Sequence, residues 1–211
     1  MLAKKVADAS ALLDPKAKAW EQVDREVIDL VGTPIHRQTS RYVRTVWADR
    51  LIGRVRAVAV RAAHDGQRLA IQLEWNDETE NNDYGNRQFP DAAAVLFPSN
   101  GDAPLGTMGS PDAHVNGWFW RADLSEGQNI VAQGPGTVEK ANGATIDAKG
   151  VWKDGRWSVV LSRTLSARGK DNVKLAPGKA AKIAFAVWEG SNQERGGLKA
   201  YSRDWREITL E

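Results

Sequence analysis

Apolar and polar residues alternate with a period of two along most of this chain, and that restricts its fold more than any other feature. Leu69, Ile71, Leu73 and Trp75 share one face of a run whose other face carries Ala70, Gln72 and Glu74. Trp157, Val159 and Leu161 alternate with Ser158, Val160 and Ser162 in the same way. Such spacing places side chains on the two sides of a strand, not on one stripe of a helix. Ile183, Phe185 and Val187 alternate with Ala184, Ala186 and Trp188, so both faces are apolar and this strand is expected to be central. Asp65-Gly66 and Asp154-Gly155 fall between such runs as two-residue hairpin turns, and Asn100-Gly101, Asn116-Gly117 and Asn142-Gly143 mark further turns. The pattern predicts a mainly β protein: an antiparallel two-sheet β-sandwich with a few short helices. Short helices are expected over Ala3–Leu13 and within Val138–Lys149. Residues 1–18 read as an N-terminal extension, the helical part included, and 19–211 as a single sandwich domain.

The 211 residues are enough to bury roughly 70% of the unfolded surface without staples. Lys and Arg number 29 against 27 Asp and Glu, a net charge of +2. So even a balance argues against nucleic acid or an anionic membrane as partner. No apolar run is long enough to span a bilayer as a helix. Cysteine is absent. That excludes disulfides, thiolate zinc and iron–sulfur sites, a thiol nucleophile and a covalently attached c-type haem. Lys4, Lys5 and Asp8 interrupt any apolar stretch that could serve as a signal peptide.

Familiar catalytic patterns are missing. No G-x-S-x-G elbow, Walker A or G-x-G-x-x-G sequence occurs, and His36, His64 and His114 are too scattered for a local zinc motif. Asp77–Asp83 is a dense run of oxygen ligands, but it lacks EF-hand spacing and reads first as a solvated acidic loop, with a calcium-dependent domain as the rival. Nine tryptophans invite two readings. They are core, or they stack on sugar rings as in a carbohydrate-binding module of the same fold class. Met108 is the only internal methionine and sits in the Pro- and Gly-rich stretch 104–111. The residues alone leave it either as a loop side chain or as a soft sulfur ligand to iron or copper. Lys199 follows Gly196-Gly197, a hint of close backbone approach.

A series of blocks carries more information than any one motif. They are Asp65-Gly66 with 69–77, Phe89–Pro98, Met108-Gly109, Asn116–Ala122, Gly155–Val159, Ala184–Gly190, Glu194–Lys199 and Ser202–Trp205. In this order, over about residues 20–210, the chain resembles the haem-b-binding gamma subunits of the type II dimethyl sulfoxide reductase family of molybdoenzymes. That family includes ethylbenzene dehydrogenase, dimethylsulfide dehydrogenase, selenate reductase and chlorate reductase, and the pattern stands nearest the chlorate reductase branch.

The resemblance implies a β-sandwich holding one haem b (iron protoporphyrin IX), with Met108 and Lys199 as axial iron ligands. Phe97, Trp118, Trp120 and Tyr201 lie near the ligand blocks and are expected to line the haem faces. His114, six residues from Met108, is the rival to Lys199. The implied role is non-catalytic electron transfer in the periplasm. The implied partners are an iron–sulfur beta subunit, a molybdenum alpha subunit and a c-type cytochrome.

Overall fold

The structure, a computed structural model, describes residues 1–85 and 87–211. Its strands in chain order are β1 (Leu2–Lys5), β2 (Glu26–Asp29), β3 (Val31–Gly32), β4 (Ala57–His64), β5 (Arg68–Asn76), β6 (Ala92–Pro98) and β7 (Val115–Arg121). They continue as β8 (Gln128–Ala132), β9 (Glu139–Lys140), β10 (Asp147–Trp152), β11 (Arg156–Thr164), β12 (Ala180–Trp188), β13 (Ala200–Tyr201) and β14 (Arg206–Leu210). One six-residue helix, α1 (Arg41–Val46), and a few 3₁₀ turns complete the described residues. The neighbour order is β10-β11-β5-β4-β1-β14-β12-β6-β7-β8-β9, one continuous hydrogen-bonded path. Doubled over, it sets β10, β11, β5 and β4 against β12, β6, β7 and β8, with β1 and β14 as the bridge. The two-layer, mainly β architecture read from the alternation is the one found.

The core between the layers is built from the inward members of each alternation. Leu69, Ile71, Leu73, Trp75, Trp157, Val159 and Leu161 meet Ala93, Val95, Phe97, Phe185, Val187, Trp118 and Trp120. The rings of Trp120 and Trp157 pack edge-on at 4.9 Å, with Trp75 at 6.3 Å from each. Seven of the nine tryptophans are buried and Trp152 and Trp205 are half-buried, so none offers an open stacking platform. The Asp154-Gly155 turn has the geometry its residues demand: both take positive φ (51° and 75°), and Lys153 and Arg156 exchange two backbone hydrogen bonds across it.

Both expected helices are absent. Over Ala3–Leu13 the chain instead forms strand β1 and a 3₁₀ turn at Ser10–Leu13, and within Val138–Lys149 it forms β9 and the start of β10. A helix of some ten residues is marginal without a packed face. Here β14 and β4 offer open edges, which β1 fills in parallel on both sides while Ala3 drops into the core.

Candidate functional site

The outward members of β6 and β12 do not reach solvent. Ala92, Ala94, Leu96, Ala184, Ala186 and Trp188 form a second apolar cluster with Leu105, Val115 and Tyr201. Ala94 pairs with Ala186, Leu96 with Ala184 and Ala92 with Trp188 across the two strands. Four alanines in adjacent positions make a flat, covered apolar patch, beside which Ala92, Leu96 and Trp188 face a cavity that loops from elsewhere in the chain close.

One of those loops carries Met108. A 3₁₀ turn at Leu105–Thr107 ends on Met108, whose backbone is left-handed (φ 58°, ψ 44°), a conformation that costs a non-glycine residue about 1 kcal/mol or more. It is held there by three backbone bonds: Met108 N to Leu105 O (3.0 Å), Gly109 N to Pro104 O (2.9 Å) and Gly134 N to Met108 O (3.1 Å). Gly109 must be glycine, because its φ is 92° and a β-carbon would lie 2.7 Å from Ala113 O.

The other loop runs from Glu189 to Lys199 and is fixed at its centre by Glu194. This buried carboxylate accepts from Gly53 N (2.7 Å), Arg54 N (3.0 Å) and Asn192 Nδ2 (2.9 Å) through Oε1, and from Glu189 N (3.1 Å) through Oε2. An arm covering residues 33–56 lies along the same loop. Gln38 Nε2 donates to Gly197 O (2.9 Å), and both the backbone and the hydroxyl of Thr33 donate to Lys199 O. Lys199 is 7% exposed, and its Nζ lies 5.4 Å from the centre of the Trp188 ring. Among the described residues no carboxylate, carbonyl or hydroxyl takes a hydrogen bond from it. Burial lowers its pKa to about 8, so the proton that a metal ligand must give up is held less tightly than on an exposed lysine.

The cavity has two chambers, of about 250 and 210 Å³. Met108, Val138, Gly196 and Lys199 line both, and so stand where the chambers meet. Each chamber alone is smaller than the roughly 300–1,000 Å³ of a cofactor pocket; joined, they reach it. The smaller one is walled by Tyr84, Phe89, Leu96, Phe119, Ile130 and Trp188. The larger is bounded by Arg37, Thr39, Thr107 and Tyr201. A soft sulfur and a buried amine, lining one cavity with aromatic and aliphatic walls, fit a metallocofactor whose metal accepts one sulfur and one nitrogen ligand.

The structure thus brings Met108, Lys199 and Tyr201 to one cavity. It does not bring Phe97, Trp118 and Trp120 there. All three are buried in the core between the sheets, because Val95 pairs with Trp118 and the pleat turns odd-numbered positions of β6 and even-numbered ones of β7 inward. Nearness in sequence to the ligand blocks suggested the cavity; alternation decides against it. Their places are taken by Phe119, Leu96 and Trp188, one residue out of phase. His114 is engaged elsewhere, with Nδ1 2.8 Å from Asp171 Oδ1 and Nε2 3.0 Å from Pro111 O. Of the acidic run 77–83, only Asp77 is buried. It lies with Asp91 and Glu189, their carboxylate oxygens within 4.8 Å of one another. Burial, then the neighbouring charges, raise the Asp77 pKa to about 7; burial raises that of Asp91 to about 6. The arm and its contacts with the Lys199 loop had no signal in the sequence, since they join residues 140–166 positions apart.

A family model described as ethylbenzene dehydrogenase matches residues 17–142 and 133–200. The chain belongs to the ethylbenzene dehydrogenase family. Three relatives agree with this. A protein of Haloferax mediterranei named as a respiratory nitrate reductase heme subunit is 36% identical over 193 residues, covering 90% of this chain and 66% of that protein. The chlorate reductase subunit gamma of Ideonella dechloratans is 40% identical over 153 residues, covering 72% and 64%. The dimethylsulfide dehydrogenase subunit gamma of Rhodovulum sulfidophilum is 26% identical over 200 residues, covering 91% and 73%. The match thus spans about two thirds of the length of the first two. Among solved structures, a family 9 carbohydrate-binding module of Caldicellulosiruptor kristjanssonii in complex with glucose superposes with a TM-score of 0.57 at 13% identity, covering all of this chain and 95% of that one. A carbohydrate-binding protein of Bacteroides uniformis gives 0.55 at 11%, covering 100% and 98%. At such identities these two speak to the sandwich fold alone.

Proposed function

We propose that this member of the ethylbenzene dehydrogenase family is a non-catalytic electron-transfer subunit that holds one haem b between Met108 Sδ and Lys199 Nζ. The observation that carries the reading is the shared lining: the only internal methionine and a buried lysine without a hydrogen-bond partner among the described residues both line the two chambers. Haem, when bound, supplies one-electron chemistry. Met108 contributes a thioether that favours the ferrous state, and Lys199 contributes a neutral amine. The left-handed backbone at 108 and the Glu194 clamp preset both side chains, so little ordering is required on binding. Two protein ligands leave no coordination position for a substrate, which is why the subunit passes electrons and does not itself catalyse. The relatives' names, one a heme subunit and two gamma subunits of a reductase and a dehydrogenase, support a place in a multisubunit oxidoreductase. In this reading the chain relays electrons between a periplasmic c-type cytochrome and the iron–sulfur beta subunit of a molybdenum oxidoreductase, of which chlorate reductase is the leading case.

The test is a titration of the cofactor-free protein with haem b, followed by the Soret band. One equivalent saturating the protein supports the reading. A featureless titration, with no band beyond that of free haem, would sink it.

A further inference from the structure

The two chambers differ in chemistry, and the difference orients whatever fills them. Resting on the haem reading above, we propose that Arg37, Tyr201 and Thr39 form a carboxylate-binding subsite at the arm end of the cavity, which takes the porphyrin's two carboxylate side chains.

Arg37 spends only one of its nitrogens on the protein. Nη1 donates both to Gly106 O (3.0 Å) and to the Tyr201 hydroxyl (3.3 Å). The Nε–Nη2 edge, which matches a carboxylate in a two-bond fork, has no partner among the described residues. The Tyr201 hydroxyl accepts from Arg37, so its own proton points elsewhere, and no acceptor among the described residues takes it. Yet Tyr201 is buried and lines the chamber. Thr39 adds a hydroxyl on the same wall, with no hydrogen bond to any of the described residues. Three sets of unspent donors thus converge on one end of the cavity.

The opposite end suits carboxylates less. It is walled by aromatic and aliphatic side chains, and of its two arginines Arg121 is already held by Asp123 through two bonds (2.5 and 2.9 Å). The Arg195 guanidinium lies 4.1 Å from the centre of the Phe89 ring and donates through Nη1 to Gln193 O (2.8 Å). Its remaining edge would serve at most one carboxylate, and the Glu194 carboxylate lines the same chamber. The apolar edge of the macrocycle belongs in that chamber, and the carboxylate edge by the arm.

The experiment compares binding of haem b with that of its dimethyl ester, in which both carboxylates are neutral, to cofactor-free protein by Soret titration. The wild type is expected to bind the diacid at least tenfold more tightly. Arg37→Ala should weaken the diacid about 10–100-fold and leave the ester within threefold, and Tyr201→Phe should remove part of the preference. Arg37 is exposed, so an unchanged melting curve confirms that the variant folds. Equal binding of acid and ester by the wild type would overturn the subsite while leaving the haem reading intact. So would a full preference persisting in Arg37→Ala, or its loss in Arg195→Ala. Binding of neither porphyrin by the wild type removes both proposals together.

Discussion

Glu194 should be worth more to this protein than its single carboxylate suggests, because three segments hang on it. In Glu194→Ala the backbone N–H groups of Gly53, Arg54 and Glu189 lose their acceptor. Arg54 is exposed and can turn to water. Gly53 and the N–H of Glu189 are buried, and each orphaned donor costs about 1–3 kcal/mol. Removing a buried charge whose pKa burial has raised returns part of that. The net loss is then about 2–4 kcal/mol, or about 5–15 °C in melting temperature for a chain of this size. Urea unfolding followed by circular dichroism measures it, with m unchanged if only the native state is affected. Since the same carboxylate fixes the loop that carries Lys199, haem release should quicken in step. Glu194→Gln keeps Oε1 but sets an amide donor against the Glu189 N–H, so it should fall between wild type and alanine. A Glu194→Ala protein within about 0.5 kcal/mol of wild type would refute the clamp.

Other perturbations separate structure from binding. Met108→Gly relieves the left-handed strain and should leave the cofactor-free protein as stable as wild type, or up to about 1 kcal/mol more so, while haem affinity falls at least tenfold; Met108→Ala retains the strain and loses the ligand. Calorimetry of both, with and without haem, checks this. Ala92→Leu places a larger side chain at a β6 position that lines the smaller chamber, and should weaken the Soret titration while the two-layer core, on the other face, still melts cooperatively. Asp77 and Asp91 have native pKa values raised to about 7 and about 6, with the Glu189 carboxylate facing both, so the native state holds more protons than the unfolded chain between about pH 4 and 7. Their contribution is complete below pH 4 and lost as pH rises through 7. Urea midpoints for cofactor-free protein should accordingly be higher at pH 5 than at pH 7.5, and Asp77→Asn should flatten the difference.

How much of this was legible beforehand follows from the range of the forces involved. Alternation is local, so β5, β11 and β12 could be read directly, as could the Asp154-Gly155 turn, where two adjacent residues supply the geometry. The N-terminal strand could not, because what holds Leu2–Lys5 extended is the open edges of β4 and β14, some 60 and 200 residues away. Met108 and Lys199 were singled out through the order of the blocks around them, and the structure sets both on one cavity. The cavity lining was not, although the parity of β6 and β7 already contained it: residues 95, 97, 118 and 120 share the inward face, and 92, 94, 96 and 119 the outward one. Nothing in the sequence marks Arg37, since only the folded arm sets it beside Gly106 and Tyr201. Net charge was uninformative about the site, because the six arginines between 37 and 56, with Asp49 the sole acid among them, vanish into a chain-wide balance of 29 against 27.

The most direct test of the central claim is an absorption spectrum of the haem-loaded protein, oxidised and then reduced with dithionite, for wild type, Met108→Ala and Lys199→Ala. The wild type should show a low-spin six-coordinate haem b with sharp reduced α and β bands, and each single variant should turn high-spin or lose the haem. A wild-type spectrum that is already high-spin, or variants that keep the wild-type spectrum, would contradict ligation by Met108 and Lys199.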